Sequence, residues 1–285
     1  MYLTLDKYSR PETVEECLRL LHGEGQVAAL LAGGTELNVR GHESLTHVID
    51  LQALAFDGIA LEGDSLRLGA GVTLGRLRRD DALAGEQFTA LRQAAAAFAN
   101  VGIQNRATLG GRIMVDRPDQ DLPPALAALG AQLKIHRLEG DASQASVIDY
   151  PLGAAAREAL KGALISEVVI PLAEGRSALR RFGRSAVDRP LATCAAALCG
   201  DALRLTANMQ GPDAGSLRRF TATEKLAAGW LGARPADWRM MARMSLLGEA
   251  AAHGDAFASG GYRRDLTATL ALRALAAILG EEEIA

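Results

Sequence analysis

Two glycine pairs in this sequence stand where a backbone can close on a ligand. Gly33-Gly34 lies within Leu30-Leu31-Ala32-Gly33-Gly34-Thr35-Glu36-Leu37, and Gly110-Gly111 follows Thr108-Leu109 in the stretch from Val101 to Ala131. Glycine lets a chain approach a ligand closely, with N–H groups turned toward it. Each pair therefore reads as strand, glycine turn and helix start, a seat for an anion. Taken singly, each reads more readily as a tight structural turn than as a ligand contact. The pairs are about 75 residues apart, so together they could grip one long ligand from two sides. Neither fits the GxGxxG fingerprint or the GxxxxGK(S/T) phosphate loop.

The segment Asp116-Arg117-Pro118-Asp119-Gln120-Asp121 brings three carboxylates together. Arg117 lies among them and no EF-hand spacing is present, so a solvated loop is expected rather than a cation site. It runs into Pro123-Pro124, tolerated in a first helical turn, and an apolar helix from Ala125 to Leu129. Arg180-Arg181, with Arg184 and Arg189, forms a basic knot: either a solvated edge or a partner for a phosphate or an electron-rich ring. Cys17, Cys194 and Cys199 lack CxxC spacing and sit among apolar residues, as inert buried thiols do. The five histidines, His22, His42, His47, His136 and His253, make no metal-ligand pattern. No Ser-His-Asp or Cys-His arrangement can be read.

The elements that must position these residues follow from pattern. The chain has 285 residues, is 49% hydrophobic and 23% charged, and carries a net charge of −3. That suits a globular core and gives no general attraction to nucleic acid. No apolar run is long enough to span a membrane, and Met1 to Asp6 lacks signal-peptide character, so a cytoplasmic protein is expected. Pro11 to Leu21 reads as a helix, with Val14, Cys17, Leu18 and Leu21 on one face, stopping near Gly23 and Gly25. Val27–Leu31 reads as a buried strand, and 46–51, 66–70, 132–137 and 164–170 as further strands. Leu74–Arg79 and Phe88–Phe98 read as helices. Composition shifts at Ala173-Glu174-Gly175-Arg176, which reads as a linker and places a domain boundary near residue 174. Beyond it, 177–182 and 191–198 are expected strands, the second weakened by its alanines. Asp201–Met209 is a hairpin partner, and 223–230, 238–251 and 262–279 are helices.

Together the motifs resemble the FAD-binding medium subunit of molybdenum hydroxylases, the carbon monoxide dehydrogenase and xanthine dehydrogenase family. The resemblance rests on Ala32-Gly33-Gly34-Thr35-Glu36, on Ile103-Gln104-Asn105-Arg106-Ala107-Thr108, and on Thr108-Leu109-Gly110-Gly111-Arg112. Pro118, Asp121, Leu122-Pro123-Pro124-Ala125-Leu126-Ala127-Ala128-Leu129 and the late pair Ala258-Ser259 with Tyr262-Arg263 complete it. It covers almost the whole chain. It implies an α+β architecture: a two-subdomain FAD-binding fold of the vanillyl-alcohol-oxidase (PCMH) type over residues 1–174, then a C-terminal domain with a small antiparallel sheet over 175–285. It also implies FAD held through Ala32, Gly33, Gly34, Thr35, Glu36, Thr108, Leu109, Gly110, Gly111 and Arg112, with Phe98, Asp121 and Arg181 near the flavin. Partners would be a small [2Fe-2S] subunit and a large subunit carrying the molybdopterin cofactor, in a dimer of heterotrimers, with NAD or another acceptor. The chain departs from the family pattern at Arg112, where Asn or Ser is usual, and at Val115, Asp116 and Arg117. Those departures keep open a flavin-free structural subunit of the same kind of complex. A free-standing FAD oxidase of the vanillyl-alcohol type is the other alternative, weakened because such chains carry their own substrate domain.

Overall fold

The computed structural model describes residues 5–23, 27–40, 44–115, 117, 119–140, 142–152, 155–185, 188–208 and 217–281. The first four residues, Gly25, His42, Asp116, Pro118 and Met209, which enter the reading above, lie outside the described residues.

Strands β1 (Lys7–Ser9), β2 (Ala28–Leu31) and β3 (His47–Asp50) form a parallel sheet in the order β1-β3-β2. Helix α1 (Val14–Leu21) starts at Thr13, whose side chain accepts from the Glu16 N–H. Its buried Cys17 and Leu18 pack with Ile49 and Leu164, as the spacing of its apolar residues requires. The expected buried strand, β2, is half-buried along its length because it forms a wall of the cleft described below. In a parallel sheet all carboxyl ends share one edge, the usual place for a ligand. The first glycine pair leaves β2 at that edge and leads into the short helix α2 (Leu37–Arg40).

A five-stranded antiparallel sheet follows, in the order β4-β5-β8-β6-β7. Its strands are β4 (Ile59–Glu62), β5 (Ser65–Gly69), β6 (Gln132–Glu139), β7 (Ala142–Asp149) and β8 (Leu164–Pro171). Pattern reading finds the three strands that bury Leu66, Leu68, Leu133, Ile135 and Val168, and misses β4 and β7 at the two edges. Strand β7 reads Ala-Ser-Gln-Ala-Ser-Val-Ile-Asp and is largely exposed, so it has no apolar alternation to read. Between β5 and β6 lie α3 (Leu74–Arg79), α4 (Thr89–Ala97), α5 (Val101–Gln104), α6 (Leu109–Met114) and α7 (Leu122–Ala128). Helix α7 begins three residues before the expected start and takes both prolines into its first turn. Helix α8 (Ala155–Leu160) precedes β8.

The third sheet is antiparallel, in the order β12-β11-β10-β9. It comprises β9 (Gly175–Phe182), β10 (Ala192–Cys199), β11 (Ala202–Asn208) and β12 (Leu217–Arg219). The expected linker is shorter than read, since Gly175 already pairs with Cys199. Gly200, at φ 57°, makes the β10–β11 turn. The alanines of β10 have a clear cause. Ala195 and Ala197 join the core shared with Leu91 and Leu126. Cys194 and Ala196 join a second core with the C-terminal helices α9 (Thr221–Ala228), α10 (Trp238–Glu249) and α11 (Gly260–Ile278). A strand packed on both faces by helices needs small side chains, which weakens its sequence signal. Among the described residues, no helix is long and apolar enough to cross a membrane.

The late motif works as a helix start. Ser259 caps α11 by accepting from the Tyr262 N–H, and buried Arg263 donates to the Leu191 carbonyl at 2.6 Å and pairs with Asp255 at 2.8 Å. The Arg263 hydrogen bond, with the Phe257 and Ala258 N–H groups, holds the Asp255 carboxyl at about 2. A carboxyl depressed in this way stabilises the fold above its ordinary value of 3.8 and loses that contribution as the pH falls through about 2. The melting-temperature gap between the wild type and Asp255→Asn should therefore be full above the ordinary carboxylate value and close on acidification. A gap that is constant across that window would remove the assignment.

Candidate functional site

A cleft of about 1390 Å³ opens at the carboxyl edge of the parallel sheet. Its wall brings together β2, both glycine pairs, Arg106 and the segment from Gly162 to Ile165. Of the expected site residues, Ala32, Gly33, Gly34, Thr35, Glu36, Thr108, Gly110, Gly111 and Arg112 line it. Leu109 is fully buried in the core beneath. Phe98, Asp121 and Arg181 stand outside this lining and form a second tier.

The two glycine pairs are not equivalent. Gly34 has φ 72°, the left-handed conformation that glycine tolerates. Among the described residues, the N–H groups of Gly33, Gly34 and Thr35 take no protein acceptor. The second pair is not a turn: it occupies the first turn of α6, with Thr108 as the cap. Its N–H groups are already used. Leu109 donates to the Val72 carbonyl and Gly110 to the Ala70 carbonyl, both at 2.8 Å. Gly111 donates to the Thr108 hydroxyl at 3.3 Å, and Arg112 to the Thr108 carbonyl at 2.9 Å. The expectation that both pairs keep their N–H groups free is therefore corrected for the second pair, which builds the floor, while among the described residues those of the first take no protein acceptor. The cause is the cross-link between Thr73 and Thr108, which lays residues 70–74 against 107–110 as a short antiparallel bridge.

The glycines themselves serve packing. A methyl at Gly33 would run into the carbonyl oxygen of Arg106 and lie 3.3 Å from the Ala107 Cα. A methyl at Gly110 would lie 2.8 Å from the Ala70 Cβ. Both residues are glycine because two chain segments meet there.

Arg112 is almost buried and wholly engaged. It pairs with Glu36 of the first loop at 3.1 Å, donates to Gln120 Oε1 at 2.7 Å and lies 4.4 Å over the Phe98 ring. Burial pushes its pKa down, and Glu36 opposes that shift. The guanidinium is a strap from α6 to the first glycine loop. The chain continues from Gln120 to Asp121, which is 7% exposed, so the expectation of a solvated loop fails at that residue. Asp121 accepts from the Thr193 hydroxyl at 2.5 Å and pairs with Arg181 at 3.2 Å. Burial raises its pKa, and Arg181, then Thr193, pull it back. The basic knot divides along similar lines: Arg181 serves Asp121, Arg189 pairs with Asp119 at 3.3 Å, and Arg184 pairs with Asp188 at 3.5 Å. Among the described residues, no cluster of His, Cys, Asp or Glu could hold a metal ion.

Sequence reasoning did not single out His22, whose Nε2 lies 3.1 Å from the Gly162 carbonyl, or Ala163 to Ile165, which line the same cleft. Nothing in the local pattern of these segments signals the wall they share, because it forms only when distant segments meet.

Residues 4–173 match the family described as the FAD binding domain in molybdopterin dehydrogenase. The xanthine dehydrogenase FAD-binding subunit of Escherichia coli O157:H7 is 34% identical over 138 residues, 47% of each chain. The glyceraldehyde dehydrogenase medium chain of Sulfolobus acidocaldarius is 27% identical over 213 residues, 70% of this chain and 71% of that one. In fold, the chain superimposes on a chain of carbon monoxide dehydrogenase from Hydrogenophaga pseudoflava with a TM-score of 0.82, at 23% identity and 98% coverage of both.

Proposed function

The chain belongs to the family of FAD-binding domains of molybdopterin dehydrogenases, and from that premise we propose that it holds FAD in the cleft as the electron-transfer subunit of a molybdenum hydroxylase. Electrons come from [2Fe-2S] clusters of a small partner subunit and leave to NAD or another acceptor. The large partner subunit carries the molybdopterin cofactor and sets the substrate. The proposed assembly is a cytoplasmic dimer of heterotrimers, with residues 1–174 as the FAD-binding domain and 175–285 as the C-terminal domain.

The observation that carries this reading is the pairing of a large cleft with three N–H groups, at Gly33, Gly34 and Thr35, that take no protein acceptor among the described residues. A volume of about 1390 Å³ exceeds the ~300–1,000 Å³ of ordinary small-molecule pockets and suits an extended dinucleotide. Backbone N–H groups of a glycine loop suit a diphosphate. The residues therefore fit FAD. When bound, FAD supplies the electron-carrying chemistry, and the protein supplies binding, orientation and electrostatics. Ala32 to Thr35 form the diphosphate seat. Thr108, Leu109, Gly110 and Gly111 set the height of the floor. Glu36 and Arg112 hold the loops at a fixed spacing. Phe98, Asp121 and Arg181 remain assigned beside the ring system, joined to the cleft through Arg112 and Gln120. The role calls for no general acid or base.

One observation favours the second reading, a flavin-free structural subunit: the Arg112 guanidinium already covers the Phe98 ring. The two readings separate on the purified complex. We expect about one non-covalent FAD per copy of this chain, released into the supernatant on acid precipitation, as cofactor binding without a covalent link requires. A colourless complex with no flavin in the supernatant would leave the structural reading in place.

A further inference from the structure

Arg106 lies on the wall of the same cleft, and the assignments above give it no role. Its backbone is pressed against the first glycine loop, since a methyl on Gly33 would meet the Arg106 carbonyl oxygen. The Arg106 side chain therefore leaves the backbone at the seam between the first glycine loop and the start of α6. It is exposed, and among the described residues no carboxylate, carbonyl or ring takes its guanidinium.

The neighbouring arginines are different. Arg112 is taken by Glu36, Gln120 and Phe98. Arg79 donates to Asn105 Oδ1 at 3.3 Å, Arg78 to Gln104 Oε1 at 3.5 Å, and Arg76 pairs with Asp80 at 3.3 Å. Arg106 thus shares this wall with Gly33, Gly34 and Thr35, and among the described residues neither its guanidinium nor their N–H groups take a protein partner. A guanidinium presents a planar fork of donors that matches two phosphate oxygens at once, and its charge is not lost at any working pH. Backbone N–H groups alone carry no net charge to offset a diphosphate.

We propose that Arg106 is a diphosphate-binding residue. It pairs with phosphate oxygens from the rim, while Gly33, Gly34 and Thr35 donate from below. The proposal rests on the FAD reading of the cleft and deepens it, because it divides the labour between two arginines: Arg106 for the charge of the ligand, Arg112 for the wall.

The test uses the purified complex, stripped of flavin and titrated with FAD, FMN and riboflavin while flavin fluorescence is followed. Arg106→Ala should weaken FAD by roughly 10- to 100-fold, the loss expected for one charge-assisted pair. Riboflavin, which has no phosphate, should bind the variant and the wild type alike. Arg106→Lys should restore part of the FAD affinity, since it returns the charge without the fork. The salt dependence of FAD binding should also shrink in Arg106→Ala, because one screened charge is gone. Unchanged FAD affinity in Arg106→Ala would overturn the proposal, as would equal losses for FAD and riboflavin, which would mark a general disturbance of the wall. Arg106→Gln, close in length and still polar, should behave as Arg106→Ala does, which guards against a packing artefact. A wild-type complex that takes up no FAD would instead remove the reading of the cleft, and the proposal with it.

Discussion

Gly33→Val should leave the protein without flavin and with a weakened N-terminal lobe. From sequence alone, a side chain at Gly33 is expected to collide with the ligand and spare the fold. The structure moves the collision inside the protein. A Cβ at Gly33 would enter the carbonyl of Arg106, and backbone cannot step aside as a flexible side chain can. The segment that would have to move, Arg106-Ala107-Thr108, is pinned on its far side. Leu74 donates to the Ala107 carbonyl at 2.9 Å, and Leu109 to the Val72 carbonyl at 2.8 Å. Overpacking a well-ordered interior typically costs ~1–3 kcal/mol, and a clash with fixed backbone sits at or beyond the top of that range. Thermal melting and flavin content should therefore fall together in Gly33→Val. Gly110→Val should be milder, because a Cβ there comes no nearer than 2.8 Å to the Ala70 Cβ and 3.1 Å to its carbonyl oxygen, a smaller overlap than at Gly33. A Gly33→Val protein that melts like the wild type and lacks only flavin would restore the simpler account.

Arg112→Asn should lower stability and loosen flavin at the same time. The side chain is 7% exposed and Glu36 24%, so the pair is largely but not wholly shielded from water. Breaking a buried pair by removing one partner costs about 3–5 kcal/mol, and the partial exposure of Glu36 brings the expectation to about 2–4 kcal/mol. The loss has three parts: the Glu36 ion pair, the Gln120 hydrogen bond and the contact over Phe98. Asparagine is too short to span from α6 to Glu36, so the two loops lose their fixed spacing and the flavin its rigid seat. Urea unfolding measures the first effect, and fluorescence recovery on dilution the second. Glu36→Gln should reproduce part of both, and the double variant should cost less than the sum, because the two residues act through one contact. Tighter flavin binding in Arg112→Asn with unchanged stability would mean that Arg112 obstructs the groove over Phe98.

Much of this molecule is legible in the order of its residues. The spacing of Val14, Cys17, Leu18 and Leu21 determines α1 and the face it buries. Alternation in 66–70 and 132–137 determines the inner strands, because each buries one side of a sheet. The glycine pairs mark where chain meets cleft, and with the segments around them they are enough to reach the family. These are local signals: period, turn chemistry and motif order survive in one dimension.

What each residue does there was decided only in three dimensions. Strand β10 is alanine-rich because helices close on both of its faces, and β7 is polar because it is an edge; neither fact is local to the strand. The two glycine pairs look alike in sequence, yet of the two only the first leaves its N–H groups without a protein acceptor among the described residues. Residues 70–74 reach across and consume those of the second. Arg112 looks like a departure at a phosphate site and proves to be a strap from α6 to Glu36, 76 residues away in the chain. Asp121 sits in a run of charged residues and is buried because Arg181 and Thr193, from the third sheet, come to meet it. In the last three cases a hydrogen bond or ion pair has one member far away in the chain. Sequence states what a group can offer, and the fold decides which partner takes it.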